Sequence, residues 1–415
     1  MIQFAVLGYG TVGSGVVEVF FRNRESLEKK AGVPLGLKYI LDVREFPDSP
    51  YKDLFVKDFD TILNDASVGV VAEVIGGVEP SLTFTKACLE RGKSVVTSNK
   101  ELVAQHGAEL LAIARANNVN YLFEASVGGG IPIIRPLHSC LAANRIEEVI
   151  GILNGTTNFI LTKMFREGMS FESALALAQR LGYAERDPAA DVEGHDACRK
   201  ICILASLAFG EHVYPHDVSA EGITKITSED VAYAASCGCV IKLIGAARRG
   251  EGGKRMTAYV APAFINRETQ LGTIDDVFNG ILVRGDATGD VVFYGKGAGK
   301  LPTASAVVSD MIACAKADGS SASMSWKPSQ GGNVAPQGDH VTAMYLRCRA
   351  FETNALEEAV KIFGKVKALS RPDKPTNEAA FITPALTERE IDDVCGKLAA
   401  AGVDILGKIR VLADQ

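Results

Sequence analysis

Ile2-Gln3-Phe4-Ala5-Val6-Leu7-Gly8-Tyr9-Gly10-Thr11-Val12-Gly13 opens the chain, and its reading decides the fold. The short apolar run reads as a strand, and three glycines in the spacing of a dinucleotide fingerprint follow it directly. An amphipathic segment with Val16, Val17, Val19 and Phe20 then predicts a helix. Each glycine has a physical task. Gly8 allows the tight turn, Gly10 lets backbone approach a pyrophosphate, and Gly13 lets the helix pack on the strand. Thr11 and Val12 stand at the helix start, where free N–H groups and the helix dipole favour an anion.

The alternation continues outward from this stretch. Strands are expected at Leu37–Val43, Val68–Ile75, Ser94–Thr97 and Asn120–Phe123, with helices at Pro80–Arg91 and Glu101–Asn117 between them. Such alternation predicts an α/β Rossmann domain over residues 1–130. Asp42, after the second strand, would accept from a ribose hydroxyl, whereas Arg44 would suit a 2′-phosphate, so NAD and NADP are not separated. Ligands bind at the C-terminal ends of such strands. That rule singles out Gly76 and Gly77, then Ser98 and Lys100, the lysine standing where nicotinamide and substrate would meet. A second glycine-rich loop, Gly295 to Thr303 with Gly297 in it, opens a helix within 300–318 that returns to this domain. Glu124 to Pro132 ends the domain with three consecutive glycines, and exposed carbonyls there would suit a hard cation.

The bulk properties exclude several classes. A chain of 415 residues, 47% hydrophobic and 23% charged with a net charge of −6, implies two or three globular domains and no nucleic-acid partner. No apolar run reaches a membrane span, and no signal-peptide shape precedes the first strand, so no membrane is expected. Nine scattered cysteines fit reduced thiols in the cytoplasm. Cys237-Gly238-Cys239 and the pair Cys198/Cys202 lack the second pair or histidine cluster of a zinc site.

Residues 131–299 read as a catalytic and oligomerisation domain of mixed helix and strand. Within it, Asn154-Gly155-Thr156-Thr157-Asn158 precedes a helix at Phe159–Phe165, and its polar side chains either cap that helix or face a substrate. Gly182 to Lys200 carries five carboxylates, Glu185, Asp187, Asp191, Glu193 and Asp196, and ends on a lysine that opens a very apolar run. Asp196 and Lys200 fall at i and i+4 of a helix. Burial disfavours an ammonium, which is how a general acid–base lysine is tuned, and neighbouring carboxylates oppose that effect. Residues 319–338 read as a linker, and 339–415 as a β-α-β-β-α-β unit of ferredoxin-like type.

With these blocks in view, the chain resembles the homoserine dehydrogenase family over nearly all of residues 1–310. The resemblance rests on Ala178 to Ala184 followed by Asp187-Pro188, Asp191-Val192, Gly194, Asp196 and Lys200. Gly8 to Gly13, Ser98 to Lys100, Glu124 to Ile134 and Gly151 to Thr162 add to it. It implies NAD(P)-dependent interconversion of L-homoserine and L-aspartate 4-semialdehyde, in threonine, methionine and isoleucine biosynthesis. It also implies residue roles. Lys200 is then the proton donor in the reducing direction, Asp196 lies beside it, and Lys100 is the second active-site lysine. Glu185 and Asp196 bind the substrate amino group, Asp191 is a further carboxylate of the site, and Gly182 and Thr156 stand in the blocks around the substrate. Glu124, Val127, Gly129 and Ile131 match a loop holding a monovalent cation, usually Na+. A homodimer or homotetramer is implied, and the tail is similar to an ACT-type regulatory domain. Two other readings stand beside this one: a related dehydrogenase acting on another amino-acid aldehyde, and a non-catalytic amino-acid sensor. In the tail, the turn Ala350 to Leu356 has neither glycine nor proline, so weak or absent threonine inhibition is expected.

Overall fold

Strand β1 (Ile2–Leu7) is central to the first sheet, and its residues Phe4 to Leu7 are wholly buried. The computed structural model describes residues 1–250, 252, 255–317, 319 and 324–412. Position 318 of the expected returning helix, 320–323 of the expected linker and 413–415 of the tail lie outside the described residues. Contacts divide the chain into two compact units. One is Met1–Arg145, Cys202–Pro215 and Gly295–Gln330; the other is Ile146–Ile201, His216–Tyr294 and Gly331–Gln415.

The first unit holds a six-stranded sheet. Besides β1 it comprises β2 (Leu35–Leu41), β3 (Phe55–Val56), β4 (Val68–Glu73), β5 (Ser94–Thr97) and β6 (Tyr121–Leu122). The order is β3-β2-β1-β4-β5-β6, and the pairings are all parallel. Right-handed crossovers are the rule for such a sheet, and the reversal at β1 marks where a dinucleotide binds. Its strands read as near-continuous apolar runs because both faces are covered, which is why they stood out in the sequence. Strand β3 did not, being two residues long. The returning helix is Lys300–Lys316, and a Cβ added to Gly15 would lie 2.8 Å from the Lys300 carbonyl oxygen. The chain therefore does come back to pack against its first helix, Thr11–Ala31.

The second unit is built on one large mixed sheet. Its strands are β7 (Ile146–Ile152), β8 (Ser219–Ala220), β9 (Cys239–Arg248), β10 (Thr257–Asn266), β11 (Phe278–Gly285), β12 (Gly289–Lys296), β13 (Val341–Ala350), β14 (Lys367–Leu369), β15 (Glu378–Ile382), β16 (Leu386–Thr387) and β17 (Val403–Val411). The main path runs β12-β11-β7-β9-β10-β17-β13-β15-β14. The tail's four principal strands thus stand in the order fourth, first, third, second, the ferredoxin-like arrangement that the β-α-β-β-α-β pattern predicted. Its second helix, Glu388–Ala400, opens on the expected capping box between Thr387 and Glu390. The sheet does not stop at the tail. β17 pairs in parallel with β10 through Ala263–Arg410 and Phe264–Val411, so tail and middle region share one sheet and one unit. Described residues of the expected linker make tertiary contacts: Trp326 is buried, Lys327 bridges to Glu211, and Val334 bridges to Met256.

Candidate active site

The candidate nucleotide-binding residues belong to the first unit. Gly8 adopts φ 95° and donates its N–H to Leu41 O at 2.8 Å, turning the chain out of β1. A Cβ on Gly13 would sit 1.9 Å from the Gly8 carbonyl oxygen, whereas one on Gly10 would meet nothing within 4 Å. Gly13 is therefore a packing glycine, and Gly10 leaves open space for a ligand. Thr11 and Val12 begin the helix, and no side chain caps its N-terminus.

Asp42 and Arg44 were read as alternatives, and the structure joins them. Oδ1 of Asp42 accepts from the Arg44 N–H and Nε at 2.9 and 3.0 Å, and Oδ2 accepts from Arg44 Nη2 and the Tyr9 N–H at 2.9 and 2.8 Å. Those four donors occupy a carboxylate's usual four acceptor positions. Chiefly through its side-chain bonds to Arg44, Asp42 is held down to about 2. A cavity of about 190 Å³ beside it is lined by Arg44, Lys52 and Lys57 together with Phe46 and Phe55.

The loops after β4 and β5 are laced together. Buried Glu73 accepts from Thr97 Oγ1 and from the Ile75 N–H at 2.8 Å each, Thr97 accepts from the Asn99 N–H, and Asn99 donates to Gly77 O at 2.6 Å. Gly76 and Gly77 take φ 92° and 73° in that loop. Asn99 also caps the helix Lys100–Ala116, which sets Lys100 at its first position, directly after Ser98.

The Glu124–Ile131 loop is buried almost throughout. The Glu124 carboxylate accepts from the N–H groups of Ile133, Ile134 and Arg135 at 2.7, 2.8 and 2.9 Å, so it is committed to shaping the turn. Among the described residues no hydrogen bond ends on the carbonyls of Val127, Gly129 or Ile131. Buried carbonyls ordinarily find partners. Gly129, at φ 56°, lies where a Cβ would be 2.4 Å from Gly297 O, so Gly297 packs on this loop.

The candidate substrate-binding residues belong to the second unit and gather where β7 turns into the helix Gly155–Glu167. Asp196 and Lys200 stand in the first turns of the helix His195–Phe209, whose apolar faces are buried through Ala205. The Lys200 Nζ donates to Asp196 Oδ2 at 2.7 Å and to Leu153 O at 2.8 Å, with lysine and aspartate 7% and 4% exposed. The i,i+4 pair is therefore an ion pair inside the protein. Asn154 donates to Asp191 Oδ1 at 2.7 Å and to Asp196 Oδ2 at 2.9 Å, which brings Asp191 to the pair. Burial first, and the Asp196 charge second, raise Asp191 above its ordinary range, while the Asn154 bond opposes them. Thr156 donates to Tyr183 O at 2.6 Å and so fixes the segment after Gly182, which ends the helix Phe171–Arg180 at φ 75°. Glu185 is exposed, and no described side-chain contact brings it to this cluster. The cap by Asn154 is as expected, whereas its bonds to Asp191 and Asp196 and the bond of Lys200 to the Leu153 carbonyl are what the sequence reading missed. The available signal was an Asn in capping position at a strand-to-helix turn, which speaks of a helix start and not of two distant aspartates.

The family model described as the homoserine dehydrogenase NAD-binding domain matches residues 8–124, and the one described as homoserine dehydrogenase matches residues 132–312. The homoserine dehydrogenase of Synechocystis sp. PCC 6803 is 44% identical over 316 residues, 75% of this chain and 72% of that protein. The crystal structure of a homoserine dehydrogenase from Thiobacillus denitrificans superposes with a TM-score of 0.90 at 35% identity, covering 99% of this chain and 98% of that one. A hyperthermophilic archaeal homoserine dehydrogenase in complex with NADPH matches 75% of this chain and 97% of its own, with a TM-score of 0.63 at 26% identity. A fingerprint glycine with room for a pyrophosphate, a buried Asp–Lys pair and relatives at this identity lead to one statement: the chain belongs to the homoserine dehydrogenase family, whose members are NAD(P)-dependent oxidoreductases acting on a CH–OH group.

Proposed function

We propose that the protein interconverts L-homoserine and L-aspartate 4-semialdehyde, in the biosynthesis of threonine, methionine and isoleucine, using the residues gathered above. The observation that carries the residue assignment is the buried Lys200–Asp196 pair, held at the end of β7 with Asp191 beside it. A bound nicotinamide cofactor supplies or takes up the hydride. The remaining work falls to side chains. As the aldehyde carbon is reduced its oxygen gains negative charge, and Lys200, held as an ammonium between Asp196 and the Leu153 carbonyl, gives it a proton. In the opposite direction the homoserine hydroxyl proton passes to the Lys200 amine, and Asp196 favours the ammonium that forms. Asp191, Asp196 and the exposed Glu185 bind the substrate ammonium, Gly182 and Thr156 shape the same pocket, and Lys100 serves as the second lysine of the site.

The cofactor is held by Gly8, Gly10, Thr11, Val12 and Gly13 at the pyrophosphate, with Gly76, Gly77, Ser98 and Gly297 along its length. Arg44 binds the 2′-phosphate of NADP; the full occupation of Asp42 supports this, because a carboxylate already neutralised repels a phosphate less. The carbonyls of Glu124, Val127, Gly129 and Ile131 hold a monovalent cation, a reading supported by three buried carbonyls with no described partner. Residues 1–130 with the helix Lys300–Lys316 form the nucleotide domain, and residues 131–299 bind substrate and join subunits into a homodimer or homotetramer. The tail from 339 is an ACT-type unit. The test is direct. Purified protein is mixed with L-homoserine and NADP+ or NAD+ while reduced-nicotinamide absorbance is followed, with L-serine and L-threonine as controls. A rise that depends on homoserine supports the proposal, and no rise with either cofactor refutes it.

A further inference from the structure

Asn154 ties the second unit's cluster together, and its orientation is dictated by chemistry. Its Oδ1 lies 2.9 Å from the Thr157 N–H and 3.0 Å from the Thr157 hydroxyl, capping the helix Gly155–Glu167. A backbone N–H can only donate, so the amide must present oxygen there and nitrogen on the far side. On that side both N–H protons are used, one on Asp191 and one on Asp196, both of them acceptors when ionised. The preceding residue, Leu153, gives its carbonyl to Lys200. Two consecutive residues thus collect three charged side chains lying 37, 42 and 47 positions away in the chain.

We propose that Asn154 is a positioning residue for the reaction: one neutral amide, locked by its helix cap, keeps Asp191 and Asp196 as two separate ionised carboxylates beside Lys200. This rests on the assignment of Lys200 and Asp196 to proton transfer. Two buried carboxylates within reach of one another repel, and without a donor between them one takes up a proton. A protonated Asp191 no longer attracts a substrate ammonium. A proton shared by the two acids also frees Asp196 to turn away from the Lys200 ammonium, whose hold on the reacting oxygen then slackens. The charges facing Asp191 are those of Asp196 and Lys200, and the neutral groups are Asn154 and Thr156.

Two replacements separate this role from capping. Serine and aspartate cap helices about as well as asparagine, so Asn154→Ser and Asn154→Asp both keep the helix start. The serine is too short to reach both carboxylates, and the aspartate adds a third negative charge at unchanged size. The pH profile of kcat/KM for homoserine is measured for both, beside Lys200→Ala, with NADPH binding by fluorescence and the melting temperature as checks of folding. For Asn154→Ser the acid limb moves up by about one pH unit and kcat/KM near neutrality falls about tenfold. Asn154→Asp falls further, by about a hundredfold, with NADPH affinity kept. Wild-type profiles in both variants would overturn the proposal and leave Asn154 a helix cap only. Near-normal turnover in Lys200→Ala would instead remove the assignment on which it rests. Should the aspartate variant fail to fold, the serine variant alone decides.

Discussion

Under the proposed function, Asp191 is the residue whose ionisation sets how the site responds to acid. Its carboxyl is raised by burial and by the charge of Asp196, and in the proposed role it binds the substrate ammonium while ionised, so activity is expected to fall as pH drops through that raised value. The acid limb of kcat/KM should therefore lie above the ordinary aspartate value of about 3.9. Asp191→Asn should abolish that limb and raise the KM for homoserine, because ground-state binding of an ammonium is lost. A limb unmoved by this substitution would remove Asp191 from substrate binding. Arg44 carries a second expectation. Arg44→Ala should weaken NADP binding by roughly tenfold or more and NAD binding far less, since a charge-assisted pair to the 2′-phosphate is lost only with NADP. Equal losses in titrations of the two cofactors would show that Arg44 serves only Asp42. At this scale the sequence was partly legible. Asp196 and Lys200 meet because helix geometry puts positions four apart on one face, and that spacing is printed in the chain. The union of Asp42 with Arg44 is equally local, yet two residues of opposite charge and different expected ligands hid it. The helix cap by Asn154 was legible, but its partners Asp191 and Asp196 were not, since they come from a separate helical turn and a separate helix, and only the tertiary fold supplies them.

At the scale of a single element, the first helix of the tail begins on a side-chain cap. Asn354 caps the helix Ala355–Phe363, its side-chain oxygen accepting from the N–H groups of Leu356 and Glu357 at 3.1 and 3.4 Å. Those donors would otherwise meet an amino-acid carboxylate at the helix N-terminus. No residue from Ala350 to Leu356 takes positive φ, in keeping with the absence of glycine there. The adjacent cavity of about 440 Å³ is lined by Asn354, Lys374, Thr376 and Glu378. Threonine up to millimolar concentrations should therefore leave homoserine oxidation within about twofold of its uninhibited rate, since binding at the turn must first displace a side-chain cap. Strong inhibition in a threonine titration would mean that the altered turn still makes an effector site. The tail's helices were readable from their amphipathic repeats and the capping box at Thr387, and its strands from short apolar runs between turn residues. Strand β9 was not. Its residues Val240 to Ala247 are buried on both faces, so the alternation that marks a half-buried strand is missing, and a short apolar run by itself does not distinguish strand from helix.

For the whole molecule, the pairing of β10 with β17 matters most. It joins the tail to the middle region, and sequence could not disclose it because the partners lie more than a hundred residues apart and pairing partners leave no local pattern. Two buried networks reinforce the join. Arg347 reaches Asp230 at 2.9 Å and Thr227 at 3.1 Å, and Arg410 holds Glu388 through two bonds of 2.8 Å and Glu221 through one. Arg410→Ala leaves the Glu388 charge buried without its partner, which costs about 3–5 kcal/mol and should lower the melting temperature by several degrees. An unchanged melting curve would show that the tail is held by other contacts. Because β17 borders β10, removing the tail also strips a sheet edge, so regulation is better probed in the full chain than by truncation. Apart from the two-residue β3, the Rossmann sheet was legible because its parallel strands are continuous apolar runs between amphipathic helices. The measurement that bears most directly on the account is turnover of Lys200→Ala in the direction of aldehyde reduction. With L-aspartate 4-semialdehyde and NADPH, kcat should fall by roughly 10²–10⁴ while NADPH still binds. Turnover close to that of the unaltered protein would contradict the account and move the proton-transfer role away from Lys200.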